Sequence, residues 1–176
     1  MPKTMPKNQS KKTKPRFNID LTDKILEKYK RQPKPNQYNV SEIWGILNGY
    51  PQTDPGLEDI LRMYDGTAKH KFLEQFATGQ TEVRKEIDCG DFKIVGKADE
   101  LTDDYVIEYK TSTKVYDKPK AWHTWQVKFY LTMFEREKGI IYQPIVKDGR
   151  FILKCLGTTR RDDAWVEDKI NKLKKI

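Results

Sequence analysis

No stretch of this chain approaches the roughly 18 consecutive apolar residues that a bilayer-spanning helix needs, so a transmembrane helix is excluded. The N-terminus has no short apolar core either, and a secreted precursor is not expected. Cysteine is scarce: Cys89 and Cys155 are the two, far apart and at no zinc-ligand spacing. Two thiols cannot supply the four that an iron–sulfur cluster usually takes. A reduced protein of the cytoplasm is the simplest expectation. Acid is missing from residues 1–17, where Lys3, Lys7, Lys11, Lys12, Lys14 and Arg16 contribute six of the net +8 charges. That segment is expected to be a disordered basic leader, able to add non-specific affinity for phosphates. Hydrophobic residues make up 36% of the 176, low but enough for one core. A single domain over residues 18–176 is expected.

The patterning that is present suggests alternating helix and strand. Asn18 or Asp20 can cap a short helix ending near Lys30, and a Pro-rich polar connector follows over 32–38. Ser41 reads as the N-cap of a helix carrying Ile43, Trp44 and Leu47, which stops at Asn48-Gly49-Tyr50-Pro51. From Leu57 to about Phe76 apolar residues recur at helical spacing, and Gly66 could kink or divide that helix. The period then changes to two, giving short strands over 82–88, 92–99 and 104–110. An amphipathic helix follows Pro119, with Trp122, Trp125, Phe129 and Met133 on one stripe. Two strands near 139–146 and 151–157 flank a turn at 147–150, and a charged helix begins at about Asp162. This order predicts an α+β or mixed α/β fold without internal repeats.

The chemistry-bearing element is Asp99, eight intervening residues, then Glu108-Tyr109-Lys110. On a strand, Glu108 and Lys110 project from one face. A two-residue turn at Asp103-Asp104 would pair 102 with 105, 101 with 106 and 99 with 108. Asp99 and Glu108 would then stand about 5 Å apart at Cβ. Two carboxylates so close repel unless a cation lies between them, and hard oxygen donors suit Mg²⁺ or Mn²⁺. Lys110 would flank that ion, where it can orient the attacking water and offset charge on a phosphate. The same three charges could equally decorate a solvated sheet face, since 34% of the residues are charged. Gly66, His70 and Glu74 fall on the helix side opposite Leu57, Leu61, Ala68 and Phe72. His70 is therefore either a surface residue or a ligand aimed at another layer. Gln126 and Tyr130, one turn apart, either flank the Trp-rich stripe or reach across the sheet toward a bound strand.

Together these motifs resemble the RecB-like branch of the PD-(D/E)xK nuclease superfamily. The matching segments are Gly66-Thr-Ala-Lys-His70, Gly96-Lys-Ala-Asp99, Glu108-Tyr-Lys110-Thr111 and Gln126-Val-Lys-Phe-Tyr130, in that order across roughly residues 40–158. The resemblance implies a restriction-endonuclease-like αβββαβ core, a central mixed sheet flanked by helices. It implies that Asp99 and Glu108 hold a metal, with His70 a further ligand and the backbone carbonyl of Tyr109 another. Lys110 would be the catalytic lysine, and Gln126 and Tyr130 would position the substrate or support the site. The implied cofactor is Mg²⁺ or Mn²⁺, and the implied partner is DNA. The implied activity is that of an exonuclease on single-stranded ends in recombination, repair or replication. A structure- or site-specific endonuclease is the alternative, and a non-catalytic nucleic-acid-binding protein on a decayed scaffold a third. Any helicase or recombination partner would be a separate protein. Iron–sulfur members place their first cluster cysteine before a proline, where this chain has Tyr50-Pro51, and no C-terminal trio of cysteines follows. No cluster is expected.

Overall fold

The computed structural model describes residues 20–176, so the basic leader and Asn18 lie outside the described residues. The chain enters through helix α1 (Thr22–Lys28), the short strand β1 (Gln37–Asn39), helix α2 (Val40–Leu47) and helix α3 (Leu57–Glu74). A meander of β2 (Gln80–Asp88), β3 (Lys93–Leu101) and β4 (Tyr105–Tyr109) follows. Helix α4 (Ala121–Phe134) leads to the hairpin of β5 (Lys138–Lys147) and β6 (Arg150–Arg160), and α5 (Asp163–Leu173) ends the fold. From α3 to β5 the order is αβββαβ, and the sheet is mixed: β1 runs parallel to β3 and β4 parallel to β5, while the other pairings are antiparallel. The core lies between the sheet and α4, where Val127, Phe129 and Leu131 meet Ile94, Ala98, Val106 and Ile141. Among the described residues no helix is long and apolar enough to cross a membrane.

One feature of the strand pairing shapes the sheet around β3. Strand β2 covers one edge of β3 along nearly its whole length. The other edge is shared: β1 pairs with residues 93–95 and β4 with 100–101. Between them, on that edge, residues 96–99 have no strand beside them among the described residues. Strand β4 meanwhile pairs with β5 over all five of its residues. It therefore stays with β5 and parts from β3, which opens a cleft in the sheet.

Several local expectations are corrected. The cap of α2 is Asn39 rather than Ser41: Glu42 accepts from the Asn39 backbone N–H at 3.3 Å and from its side-chain amide at 3.0 Å. The connector over 32–38 ends in β1, a strand too short to announce itself. Asp20 accepts from the Thr22 N–H at 2.9 Å, while the α1 cap position is Leu21. Helix α3 runs through Gly66 unbroken. Its buried residues are Ile60 and Leu73, whereas Leu61 and Phe72 of the expected core stripe are exposed. On α4, Phe129 and Met133 are buried as expected, but Trp122 faces solvent.

Candidate active site

Where β3 and β4 part, the ladder is continued by a side chain. Glu100 pairs with Ile107 and Leu101 with Val106, the register that a turn at Asp103-Asp104 requires. One step further, the Asp99 carboxylate accepts the Tyr109 backbone N–H at 2.8 Å. Its other oxygen lies 3.1 Å from His70 Nδ1, reached across from α3. Asp99 thus pins the diverging strand, and it holds an imidazole with the same carboxylate.

Strand alternation places Glu108 and Lys110 in the cleft while Tyr109 points the other way. Lys110 Nζ donates to Glu108 Oε1 at 2.6 Å and to Gln126 Oε1 at 2.7 Å. The Gln126 amide nitrogen in turn donates to the Tyr130 hydroxyl at 2.9 Å. Gln126 and Tyr130 therefore grip the lysine from α4. Glu108 is only 2% exposed, and its second oxygen, Oε2, is buried without a hydrogen-bond partner among the described residues. Burial pushes the Glu108 carboxyl up to about 7; Lys110 opposes that push and Asp99 adds to it. For His70, burial works to lower the pKa, but the hydrogen bond and charge of Asp99 outweigh it and the imidazole titrates above its usual value. Burial, with Glu108 adding to it, drives the Tyr130 hydroxyl well above the ordinary phenol range.

A cavity of about 560 Å³ gathers His70, Asp99, Glu108, Tyr109, Lys110, Gln126 and Tyr130, so all seven residues singled out from the sequence meet in one place. Two glycines make the approach possible. A Cβ at Gly66 would lie 3.1 Å from the Thr111 hydroxyl, next to Lys110. A Cβ at Gly96 would lie 2.8 Å from both Met133 and Tyr130, so α4 could not press on the open edge of β3. These contacts, rather than a kink, explain the glycines of the two motifs.

Sequence reasoning missed Glu82, which also lines the cavity. The β2–β3 register pairs Thr81 with Glu100 and Val83 with Ala98, and Glu82 falls between them, across from Asp99. Its φ is +55°, a left-handed conformation that costs a residue with a side chain about 1–2 kcal/mol. Ligand atoms of His70, Glu82 and Asp99 lie within 4.8 Å of one another, a grouping able to hold a metal ion. Glu82 also pairs with Lys97. The same hairpin arithmetic that placed Glu108 would have found it, had the four-residue turn over 89–92 been recognised.

The donor set fits a hard divalent cation. It combines carboxylate oxygens with one imidazole, and the partnerless Glu108 oxygen is a buried acceptor with nothing to accept. Compared with known families, residues 20–168 match the model of the PD-(D/E)XK nuclease superfamily. Among solved structures, the chain is similar to SSO0001, 25% identical over 88% of this chain and 81% of that one, with a TM-score of 0.54. It also shares its fold with LHK-Exo, an alkaline exonuclease from Laribacter hongkongensis, at 14% identity over 88% and 90% of the two chains and a TM-score of 0.51. LHK-Exo in complex with dAMP aligns at 15% identity over 79% and 85%, with a TM-score of 0.53. No curated protein matches the chain. The family match spans 149 of the 176 residues, from 20 to 168, and takes in the whole cleft; the chain belongs to the PD-(D/E)XK nuclease superfamily.

Proposed function

We propose that the protein is a divalent-metal-dependent deoxyribonuclease of the RecB-like branch, acting as an exonuclease on single-stranded DNA ends. The observation that carries the catalytic part is the buried, partnerless Glu108 oxygen beside Asp99. A fully buried carboxylate oxygen without a donor is costly, and a bound cation relieves that cost. Asp99, Glu108 and His70 would hold Mg²⁺ or Mn²⁺, with the Tyr109 carbonyl completing the set and Glu82 within reach of the same ion. When bound, the ion polarises the scissile phosphate and lowers the pKa of its water.

The protein's own groups do the rest. Lys110 keeps its ammonium in the cleft, where it can orient the attacking water and stabilise charge developing on the phosphate. Gln126 and Tyr130 act through it, fixing the ammonium against drift. The Asp99 carboxylate pins β4 through the Tyr109 N–H at the point where the strands part, and the phosphate would enter at the open edge of β3. The end-directed mode is supported by the fold shared with LHK-Exo, itself an exonuclease.

The test is cleavage of labelled linear and circular DNA in Mg²⁺ and in Mn²⁺. Linear single strands should be degraded and circles should survive. Lys110→Ala should reduce the rate on the order of 10³-fold. Equal cleavage by wild type and Lys110→Ala, or none by wild type with either ion, overturns the catalytic assignment. Circles cut as fast as linear strands overturn the exonuclease mode alone.

A further inference from the structure

Beside the cleft lies a cluster of aromatic residues that the chemistry leaves unused. Trp122 is 40% exposed and Tyr50 58% exposed. The Trp44 ring joins them, stacked on Tyr50 at 5.0 Å with planes 28° apart and 5.2 Å from Trp122. Lys120 Nζ sits 4.7 Å from the centre of the Trp122 ring. The cluster continues the cleft. Trp122 lies one helical turn, about 6 Å along α4, before Gln126. Trp44 lies one turn after Val40 on α2, and Val40 also lines the cavity. Helices α2 and α4 pack against each other, so the two tryptophans meet one helical turn from residues of each helix that line the cavity.

Large aromatic side chains that cluster together yet stay this exposed mark a binding surface. The surrounding charge indicates what binds. Between Lys110 and α4 the chain carries Lys114, Lys118 and Lys120 against one acid, Asp117, which is already paired with Lys154. A cluster of aromatic rings with the Lys120 ammonium upon it, in a segment rich in lysine, matches a polymer of flat bases on a phosphate backbone. Only unpaired bases offer their faces, since duplex bases are stacked on each other.

We infer that Trp122, Trp44 and Tyr50, with Lys120, form a shelf that stacks the unpaired bases of a single-stranded polynucleotide whose phosphate reaches Lys110. This rests on the nuclease reading and adds a base-binding subsite to it. Stacking is indifferent to base identity, so the shelf confers preference for single strands and not for sequence.

The test is binding of the full chain in EDTA to three fluorescent oligomers: a short oligothymidylate, its abasic counterpart of equal length, and a duplex. Wild type should bind oligothymidylate about ten-fold more tightly than the abasic oligomer. Trp122→Ala and Tyr50→Ala should each erase several-fold of that difference, leave abasic and duplex binding unchanged, and keep the thermal midpoint. Trp122→Phe should retain most of it. An oligouridylate arm separates RNA from DNA. Equal affinity of wild type for the base-bearing and abasic oligomers, or an unaltered ratio in both alanine variants, overturns the shelf. Lys110→Ala separates the two readings: it should keep the base-dependent affinity while losing cleavage. A base-dependent affinity in a wild type that cuts nothing would leave the shelf standing and sink the nuclease.

Discussion

Glu100 and Glu108 are equally hidden, each 2% exposed on neighbouring strands of one sheet, yet their surroundings are opposite. Glu100 accepts from the backbone N–H groups of Thr78 and Gly79, both at 2.9 Å, and from the Thr78 hydroxyl at 3.2 Å. Its second oxygen accepts from the Tyr109 hydroxyl at 2.6 Å. Burial pushes the Glu100 pKa up, but these donors outweigh it and the carboxyl titrates below its ordinary value. Glu108 has one lysine and an orphaned oxygen, and burial drives it to about 7. The lesson is that burial does not by itself raise an acid; what matters is whether donors were supplied. On the Glu100 face the fold supplied them, and the charge ties β3 and β4 to the loop before β2. On the Glu108 face they were withheld, which is the signature of a group kept for a ligand.

The largest test of this contrast is Glu108→Gln. Cleavage should fall on the order of 10³-fold, while the urea midpoint holds or rises, because the amide removes a desolvated acid from beside Asp99. If the variant unfolds like an ordinary core lesion, Glu108 is a structural acid and the contrast disappears. Next is Glu100→Ala, which strands buried donors and should cost about 3 kcal/mol, or roughly 6–12 °C in thermal midpoint for a domain of this size. A shift below about 3 °C would show that those donors find other partners.

The smallest effect sets Glu108 against a buried base. Burial, then the charges of Lys110 and Lys120, push His123 down to about 4. Between about 4 and 6.5 the unfolded chain binds a proton that native His123 refuses, so this residue makes stability rise with pH. Glu108 has the reverse sign: its folded pKa lies above the unfolded 4.5, so its contribution declines as pH rises from 4.5 to 7. In metal-free wild type the two largely offset. Glu108→Gln should expose the His123 slope, a rise of at most about 3 kcal/mol between pH 4.5 and 6.5. Urea midpoints across that range decide it, and a variant as flat as wild type would contradict the opposition.

The sequence made the hairpin legible because the side-chain period and the turn length fix register together. Leu101 opposite Val106 follows from Asp103-Asp104 alone. It did not reveal that the ladder stops one step later, since that stop depends on the Asp99 side chain taking the Tyr109 N–H. Strand β1 escaped notice because its partner is β3, with Gln37 set against Lys93 far along the chain. Glu82 escaped because strands read over 82–88 and 92–99 leave a three-residue turn, and the fourth turn residue is what sets Glu82 across from Asp99. On α3, apolar spacing pointed to Leu61 and Phe72, yet the helix turns Gly66 and His70 inward, because there the partner is a polar cleft rather than a core. The motif residues were the readable part; the shape of the space between them was not.

The turn between β3 and β4 has a consequence for how this chain can vary over generations. Asp103 and Asp104 lie exposed, and loops of that kind ordinarily accept added or lost residues. Strand β5, paired with all five residues of β4, holds its register, so an extra residue is harmless where the turn takes it up. One taken up as a slip of β4 would rotate every side chain after it to the opposite face. Tyr109 would enter the cleft, and Glu108 and Lys110 would be carried to the Glu100 side. Codons at this turn can therefore be exchanged with little penalty. A codon gained or lost there is tolerated only while β5 keeps β4 in place, so the length of this turn is guarded by a strand that lies outside the hairpin.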